Sequence, residues 1–182
     1  GVTKGLGVKR MSALLKDFTA LVPAMELTLV PPIEPCHARI ITKEELFEHE
    51  QYIPIWQEDY LLAMPYNHVL SLKESIALTD FDQLAMIQRS PCNAWQSLEE
   101  ILALSGITLD IRAKIQTIDY ALGLVSAGLG CAILPAYSEV LEHKDIVFRP
   151  IDDIHLRREI VLAYEKESAI LSHLKQLLEQ SA

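Results

Sequence analysis

The sequence lacks the features of a membrane protein and of a disulfide-stabilised secreted protein. Its 182 residues contain no apolar run approaching the length of about 18 that a membrane-spanning helix needs. The N-terminal residues show no basic region followed by an apolar stretch, so no signal peptide is predicted. Three cysteines, an odd number without pairing spacing, favour a reducing cytoplasm. The sequence therefore predicts a cytoplasmic protein that makes no contact with a membrane.

Positive charge and catalytic motifs are also scarce. Twenty-five acidic residues against 16 lysines and arginines give a formal net charge of −9, which argues against DNA binding by this chain itself. No G-x-S-x-G, H-E-x-x-H or C-x-x-C motif is present. The six histidines are scattered, and His49 between two glutamates lacks the spacing of a metal ligand. We therefore predict no enzyme, no metal site and no cofactor.

The most informative part of the sequence has the pattern of a βαβ unit. Apolar residues alternate with polar ones over 109–115, which predicts a strand, and residues 120–125 carry one apolar helical face. Residues 131–134 are an apolar run typical of a strand covered on both faces. Gly128 and Gly130 are placed to supply the positive-φ turn that ends the helix.

The junction between the first of these strands and the helix is a candidate ligand site. It contains Thr117, Ile118 and Asp119. Open α/β sheets bind ligands at such junctions, where backbone N–H groups and the helix dipole favour an anion. Helix capping alone also explains a Thr or an Asp here, so both explanations stay open.

A second strand-to-helix junction is predicted at Ser90, Pro91 and Cys92. A strand over 85–88 precedes it, and Ser at the N-cap with Pro at the first helical position favours a helix that continues to about Leu104. A buried cysteine without a chemical role is the favoured interpretation of Cys92, ahead of a reactive thiol at the helix N-terminus.

The remaining elements follow from hydrophobic periodicity. Apolar residues at helical spacing predict helices over Gly7–Leu21 and Ser168–Gln180. Strands are predicted at Glu26–Val30, Ala38–Ile41 and Tyr60–Met64. Helices and strands mixed in this order indicate an α/β protein.

The order and spacing of several motifs resemble the effector-binding domain of LysR-type transcriptional regulators. The helix end typical of that family, V-x-x-G-x-G, is matched by Val125 to Gly130, and its A-L-L-P strand by Ala132-Ile133-Leu134-Pro135. The segment Val147-Phe148-Arg149-Pro150-Ile151 resembles the family's V-x-R-P-L crossover. Further similar segments are Glu159–Tyr164 for the final strand and Asp59–Pro65, with His68 after it, for the crossing into the second lobe.

The resemblance implies a two-lobed, periplasmic-binding-protein-like (type II) α/β fold with a central cleft and two crossover strands. Lobe I would comprise residues 1–63 and 150–182, and lobe II residues 64–149. It also implies a homodimer or homotetramer. DNA would be bound through an N-terminal helix-turn-helix domain, of which this chain has no trace.

The resemblance further implies that a small anionic effector binds in the interlobe cleft. Lobe I would contribute Thr42 and the loop that follows a first strand ending at Gly1-Val2-Thr3 and precedes the helix over Gly7–Leu21. In this loop Lys4 adds a positive charge and Thr3 a hydrogen-bond donor. A solvent-exposed lysine is the alternative for Lys4. The expected contacts from lobe I are Thr3, Lys4, Gly5, Leu6 and Thr42, and those from lobe II are Ser90, Pro91, Cys92, Thr117, Ile118 and Asp119. A solute-binding protein of a transport system, which shares the two-lobe fold, is the alternative function.

One departure from the family pattern lies after the second predicted strand. The family has a helix and a further strand there, whereas only Pro31–Pro35 separates Val30 from Cys36. Five residues that include three prolines cannot form that helix. Either the loop is short in this protein, or the sequence omits residues at this point.

Overall fold

The computed structural model describes residues 1–181 and divides into two compact α/β units. Unit 1 contains Gly1–Gln57 together with the chain from Glu159 onward, and unit 2 contains Glu58–Arg158. In chain order the elements are α1 (Val8–Leu21), β1 (Arg39–Thr42), β2 (Gln51–Pro65), β3 (Ala85–Arg89), α2 (Asn93–Leu104), β4 (Asp110–Ile115), α3 (Ile118–Ser126), β5 (Ala132–Pro135), α4 (Ser138–Leu141), β6 (Ile146–Arg149), β7 (Arg157–Tyr164) and α5 (Ala169–Gln180).

The chain passes from one unit to the other twice, once within β2 and once within β7. The sequence-based division assigns residues 58–63 and 150–158 to the first lobe. By contacts, both segments belong to unit 2.

Unit 1 contains strand β1, most of β7 and the first part of β2, in the sheet order β1-β7-β2, together with helices α1 and α5. Arg39 of β1 lies opposite Ala163 of β7, and Thr42 lies opposite Ile160. Helices α1 and α5 pack together and supply the apolar faces that the sequence periodicity predicts. The buried core of this unit includes Leu6, Met11, Phe18, Ile40, Leu162, Leu171, Leu174 and Leu178.

Unit 2 contains the βαβ unit that the sequence predicts over 109–135. β4 pairs in parallel with β3, helix α3 follows, and Cys131 at the start of β5 forms a parallel bridge with Met86 on β3. Gly128 has φ +86° and ends α3 as expected, whereas Gly130 is not in the positive-φ region. Residues 60–65 of β2 pair antiparallel with β5 and β6.

Two local predictions are wrong. Residues 26–30 do not form a strand. Leu29 is exposed, and Val30 accepts a backbone hydrogen bond from the Val2 N–H at 2.9 Å, but Val2 itself lies outside the strands. Val2 forms its isolated parallel bridge with Ile40 instead, so the segment lacks a continuous partner strand. Its alternating pattern is therefore not sufficient to form a strand.

The second wrong prediction concerns the start of α2. The N-cap is Cys92 rather than Ser90, and Pro91 precedes the helix instead of occupying its first position. Ser90 remains attached to the sheet, because its N–H donates to the Ile115 carbonyl at 3.0 Å. That bond continues the β3–β4 pairing by one residue and delays the start of the helix.

His68 in unit 2 gives the fold a testable pH dependence. Its Nδ1 accepts the Leu70 N–H at 3.1 Å and caps a short 3₁₀ helix, and burial lowers the pKa of its imidazole below 6.5. The unfolded chain therefore binds this proton more readily, so the free energy of unfolding should fall as the pH drops below about 6.5. Urea titrations between pH 7.5 and pH 5 should show this fall in wild type and a smaller one in His68→Asn, which keeps a capping oxygen. Identical pH slopes in the two proteins would contradict the assignment.

Candidate functional site

In unit 1 the predicted site residues meet at a carboxylate. The Thr3 hydroxyl donates to Oε1 of Glu45 at 2.8 Å, while the Thr42 N–H and hydroxyl donate to Oε2 at 2.8 and 2.9 Å. The structure therefore brings Thr3 and Thr42 together, with Glu45 closing a capping box at the 3₁₀ turn of residues 43–45. The negative charge of Glu45 makes this location unfavourable for an anion.

The loop that precedes α1 presents one cation to solvent. Lys4 is exposed, and the next residue, Gly5, has φ +78°, a conformation that favours glycine. The Leu6 side chain is 8% exposed and belongs to the core of unit 1. Of the four predicted residues in this loop, Thr3 and Lys4 carry side-chain hydrogen-bond donors.

In unit 2 the two predicted junctions lie side by side. The bond between Ser90 and Ile115 joins the end of β3 to the end of β4, two residues before Thr117. The Thr117 hydroxyl accepts the Tyr120 N–H at 3.2 Å, so its capping role is present. Asp119 is exposed in the first turn of α3, whereas Ile118 is buried in the core. Among the predicted residues at this edge of unit 2, the exposed polar ones are therefore Ser90, Thr117 and Asp119.

The junction before α2 is partly exposed and partly buried. Ser90 and Pro91 are exposed, and Cys92 is 7% exposed within the core cluster of unit 2. The side chain of Cys92 makes no capping hydrogen bond to the first turn of α2. This placement fits the interpretation of Cys92 as a buried residue.

Two residues beside Cys92 are absent from the sequence-based site. Arg89, the last residue of β3, places Nη2 3.5 Å from the Cys92 sulfur, and its Nε is buried without a hydrogen-bond partner. The Tyr60 hydroxyl lies 4.0 Å from the same sulfur. Burial raises the pKa of Tyr60 to about 12, so the hydroxyl stays protonated and can donate a hydrogen bond. The sequence signal that could have indicated Arg89 is its position directly before the Ser90-Pro91 junction.

Unit 2 also contains a buried ion pair. Arg158 Nε donates to Glu58 Oε2 at 2.5 Å, and the two side chains are 6% and 3% exposed. The Arg158 guanidinium also lies 5.7 Å from the ring centre of Tyr137. Burial raises the pKa of Tyr60, and the positive charges of Arg158 and Arg89 both lower it by a smaller amount.

Unit 1 also contains an apolar cavity of about 570 Å³. Residues of α1, α5 and the unpaired segment 25–30 line it, among them Phe18, Leu27 and Leu171. Of the predicted site residues, none lines this cavity. It is therefore separate from the polar junctions.

Metal and membrane features are not found in residues 1–181. No group of three or more His, Cys, Asp or Glu side chains in that range is arranged to hold a metal ion. His49 is exposed and contacts Glu165 at 2.8 Å. Across the same residues, no helix has the length and apolar character needed to cross a membrane.

Comparison with solved structures shows the same fold. The Synechocystis PCC6803 CcmR regulatory domain, solved in complex with 2-PG, superposes with a TM-score of 0.83 at 17% identity, covering 98% of this chain and 94% of that one. The effector-binding domain of QuiR, solved with shikimate, gives a TM-score of 0.81 at 20% identity, covering 100% of this chain and 94% of that one. The predicted two-lobed α/β fold is thereby confirmed.

Comparison at the sequence level shows the family. The HTH-type transcriptional regulator AlsR of Bacillus subtilis is 31% identical over 112 residues, which are 59% of this chain and 37% of AlsR. The matched region thus spans little more than a third of that relative. The model of the LysR substrate binding domain matches residues 1–182. The chain therefore belongs to the LysR substrate-binding domain family.

Proposed function

We propose that this chain is the effector-sensing part of a cytoplasmic LysR-type transcriptional regulator and that it binds a small molecule without transforming it. The observation that carries the proposal is the match of the family model to all of residues 1–182. The polar groups exposed at the strand-to-helix junctions of unit 2 support it, because Ser90 and Thr117 are next to the N-termini of α2 and α3.

The solved relatives support the ligand part of the proposal. The CcmR domain was solved with 2-PG and the QuiR domain with shikimate, so this fold accommodates small molecules in both proteins. A ligand would regulate transcription by binding two conformations of the regulator with different affinities.

We infer that DNA binding belongs to a part of the regulator outside this chain. A net charge of −9 disfavours association of the chain with a phosphate backbone. We also propose that the chain associates with a second copy, as a homodimer or homotetramer. A total interface of about 1,600 Å² would be ordinary for a stable pair.

Binding can be tested on the purified chain with a panel of small carboxylates, phosphates and neutral analogues. At a ligand concentration of 100 Kd, binding should stabilise the folded chain by about 2.7 kcal/mol and raise Tm. Ser90→Ala should weaken the binding of the identified ligand, and Ser97→Ala, an exposed serine of α2, is the matched control. Conversion of a ligand into product, or a panel without a single binder, would contradict the proposal.

Lys4 provides a separate prediction about the charge of the effector. The exposed ammonium group should attract an anion, so Lys4→Ala should weaken anion binding by up to about fivefold and reduce its salt dependence. Calorimetry of wild type and variant across a salt series measures both quantities. Equal affinities and equal salt slopes would show that Lys4 serves only as a solvent-exposed residue.

A further inference from the structure

Arg89 is distinguished by a buried donor that has no acceptor. Among the side chains of residues 1–181, Arg89 Nε and His143 Nδ1 are the buried nitrogen or oxygen atoms without a hydrogen-bond partner. Buried donors are paired in the great majority of cases, and an unpaired one at a guanidinium carries a large desolvation penalty. The position of Arg89 in unit 2 therefore needs a physical explanation.

Several other arginines of the chain pair with a carboxylate, including the two that are buried as whole residues, Arg39 and Arg158. Arg158 donates to Glu58 and Arg157 to Asp59, whereas no carboxylate in the described residues accepts from Arg89. Arg39 shows what the same part of a guanidinium does when it is paired. Its Nε donates to Oε1 of Glu50 at 2.7 Å, and its Nη2 donates to Oε2 of the same carboxylate.

In Arg89 the Nη2 group lies 3.5 Å from the Cys92 sulfur instead of next to a carboxylate, and Nε has no partner. A thiol is a weak acceptor, so it compensates the guanidinium poorly. The side chain of Arg89 is partly exposed. Rotation about its side-chain bonds, which takes about picoseconds to nanoseconds in exposed residues, would turn the Nε–Nη2 edge of the guanidinium toward a ligand.

The surroundings of Arg89 add further donors and positive potential. Cys92 is the N-cap of α2 and leaves the first-turn N–H groups of this 12-residue helix without a side-chain cap. The Tyr60 hydroxyl, close to the same sulfur, is a protonated donor. Of the two arginines that act on Tyr60, Arg158 is bonded to Glu58, so the charge of Arg89 is the uncompensated one.

We propose that Arg89 binds the carboxylate or phosphate group of the effector through its Nε–Nη2 edge. The inference rests on the proposed function and names the chemical class of the ligand and the residue that selects it. Bidentate pairing of an arginine with an oxyanion provides both energy and orientation.

The experiment that observes this contact is a titration of the ¹⁵N-labelled chain with inorganic phosphate and with acetate, followed by the arginine Nε–Hε NMR signals. Arg89→Lys assigns the Arg89 signal. We expect that signal to shift saturably, and the Arg158 signal to move far less. In Arg112→Lys, which changes an exposed arginine bonded to Asp110, the Arg89 signal should shift as in wild type. An Arg89 signal that fails to shift, or that moves linearly without saturation, overturns the proposal.

A second measurement connects Arg89 with ligand selection. Wild type should bind acetate at least about tenfold more tightly than acetamide, and Arg89→Gln should reduce this ratio to about threefold or less. Backbone ¹⁵N–¹H spectra of Arg89→Gln report whether the fold is retained, and Arg89→Lys, which keeps the charge, should retain an intermediate ratio. An unchanged ratio in a folded Arg89→Gln overturns the proposal.

The outcomes separate this inference from the proposed function. If an organic ligand from the panel binds wild type and Arg89→Gln equally well, the role of Arg89 is refuted and the sensing function stands. If inorganic phosphate shifts the Arg89 signal saturably but no organic molecule of the panel, acetate included, binds the chain, the anion site is supported and the sensing function is refuted.

Discussion

Replacing Glu58 by leucine is expected to destabilise the chain by about 3–5 kcal/mol. The substitution removes the carboxylate that accepts the Arg158 Nε–H at 2.5 Å and leaves the guanidinium charge in a site that is 6% exposed. A buried charge that loses its counter-ion costs far more than the pair contributes, because desolvation of the charge is no longer offset. Urea unfolding of wild type and Glu58→Leu measures the difference in free energy of unfolding.

Two controls separate this effect from simple loss of packing. The double variant Glu58→Leu/Arg158→Met should recover most of the loss, because neither buried charge then remains. Asp59→Ala removes an adjacent pair, in which Arg157 donates to Asp59 at 2.7 Å with side chains 54% and 60% exposed, and should cost less than about 1 kcal/mol. Additive losses in the double variant would show that Glu58 and Arg158 are not energetically coupled.

The elements that the sequence predicted well are those whose signals are local. The helix predicted from 7 to 21 is α1, the final predicted helix is α5, and the predicted βαβ unit is β4, α3 and β5. Periodicity, an N-cap at Ser168 and a turn glycine at 128 all act within a few residues of the element they define. The order of these elements also carried the resemblance to the LysR family, which the comparisons confirm.

The elements that the sequence predicted poorly depend on distant partners. Residues 26–30 alternate as a strand does, yet a strand forms only where another strand pairs with it. The start of α2 was misplaced because Ser90 is bonded to Ile115, 25 positions away in the sequence. Capping preferences alone could not reveal that competing bond.

The same distinction applies to the candidate site. Ser90 and Thr117 were indicated by strand ends followed by helices, which are recognisable in sequence. Thr3 and Thr42 were indicated by the resemblance to the LysR family. The partners of these residues were not recognisable: Glu45 accepts from both threonines of unit 1. Arg89 was missed because its significance lies in the acceptor it lacks, which only the folded arrangement reveals.

Gly130→Ala is expected to destabilise the chain by about 2–4 kcal/mol, because the added methyl group overlaps a neighbouring strand. A Cβ at this position would lie 2.8 Å from the carbonyl oxygen of Ala85 and 3.1 Å from its carbonyl carbon. Those atoms are backbone and cannot rotate away. The same carbonyl accepts the Cys131 N–H at 2.8 Å, so moving it weakens the contact between β3 and the start of β5.

Two nearby glycines isolate this steric cause from other effects of the substitution. Gly123 lies within α3 and Gly128 at its end, and a Cβ at either would meet nothing within 4 Å. Gly123→Ala should stabilise the chain by about 0.5–1 kcal/mol through higher helix propensity, while Gly128→Ala should cost about 1 kcal/mol because its φ is +86°. Equal unfolding free energies for Gly130→Ala and Gly128→Ala would show that the sheet yields to the methyl group and that the close approach at Ala85 does not limit this position.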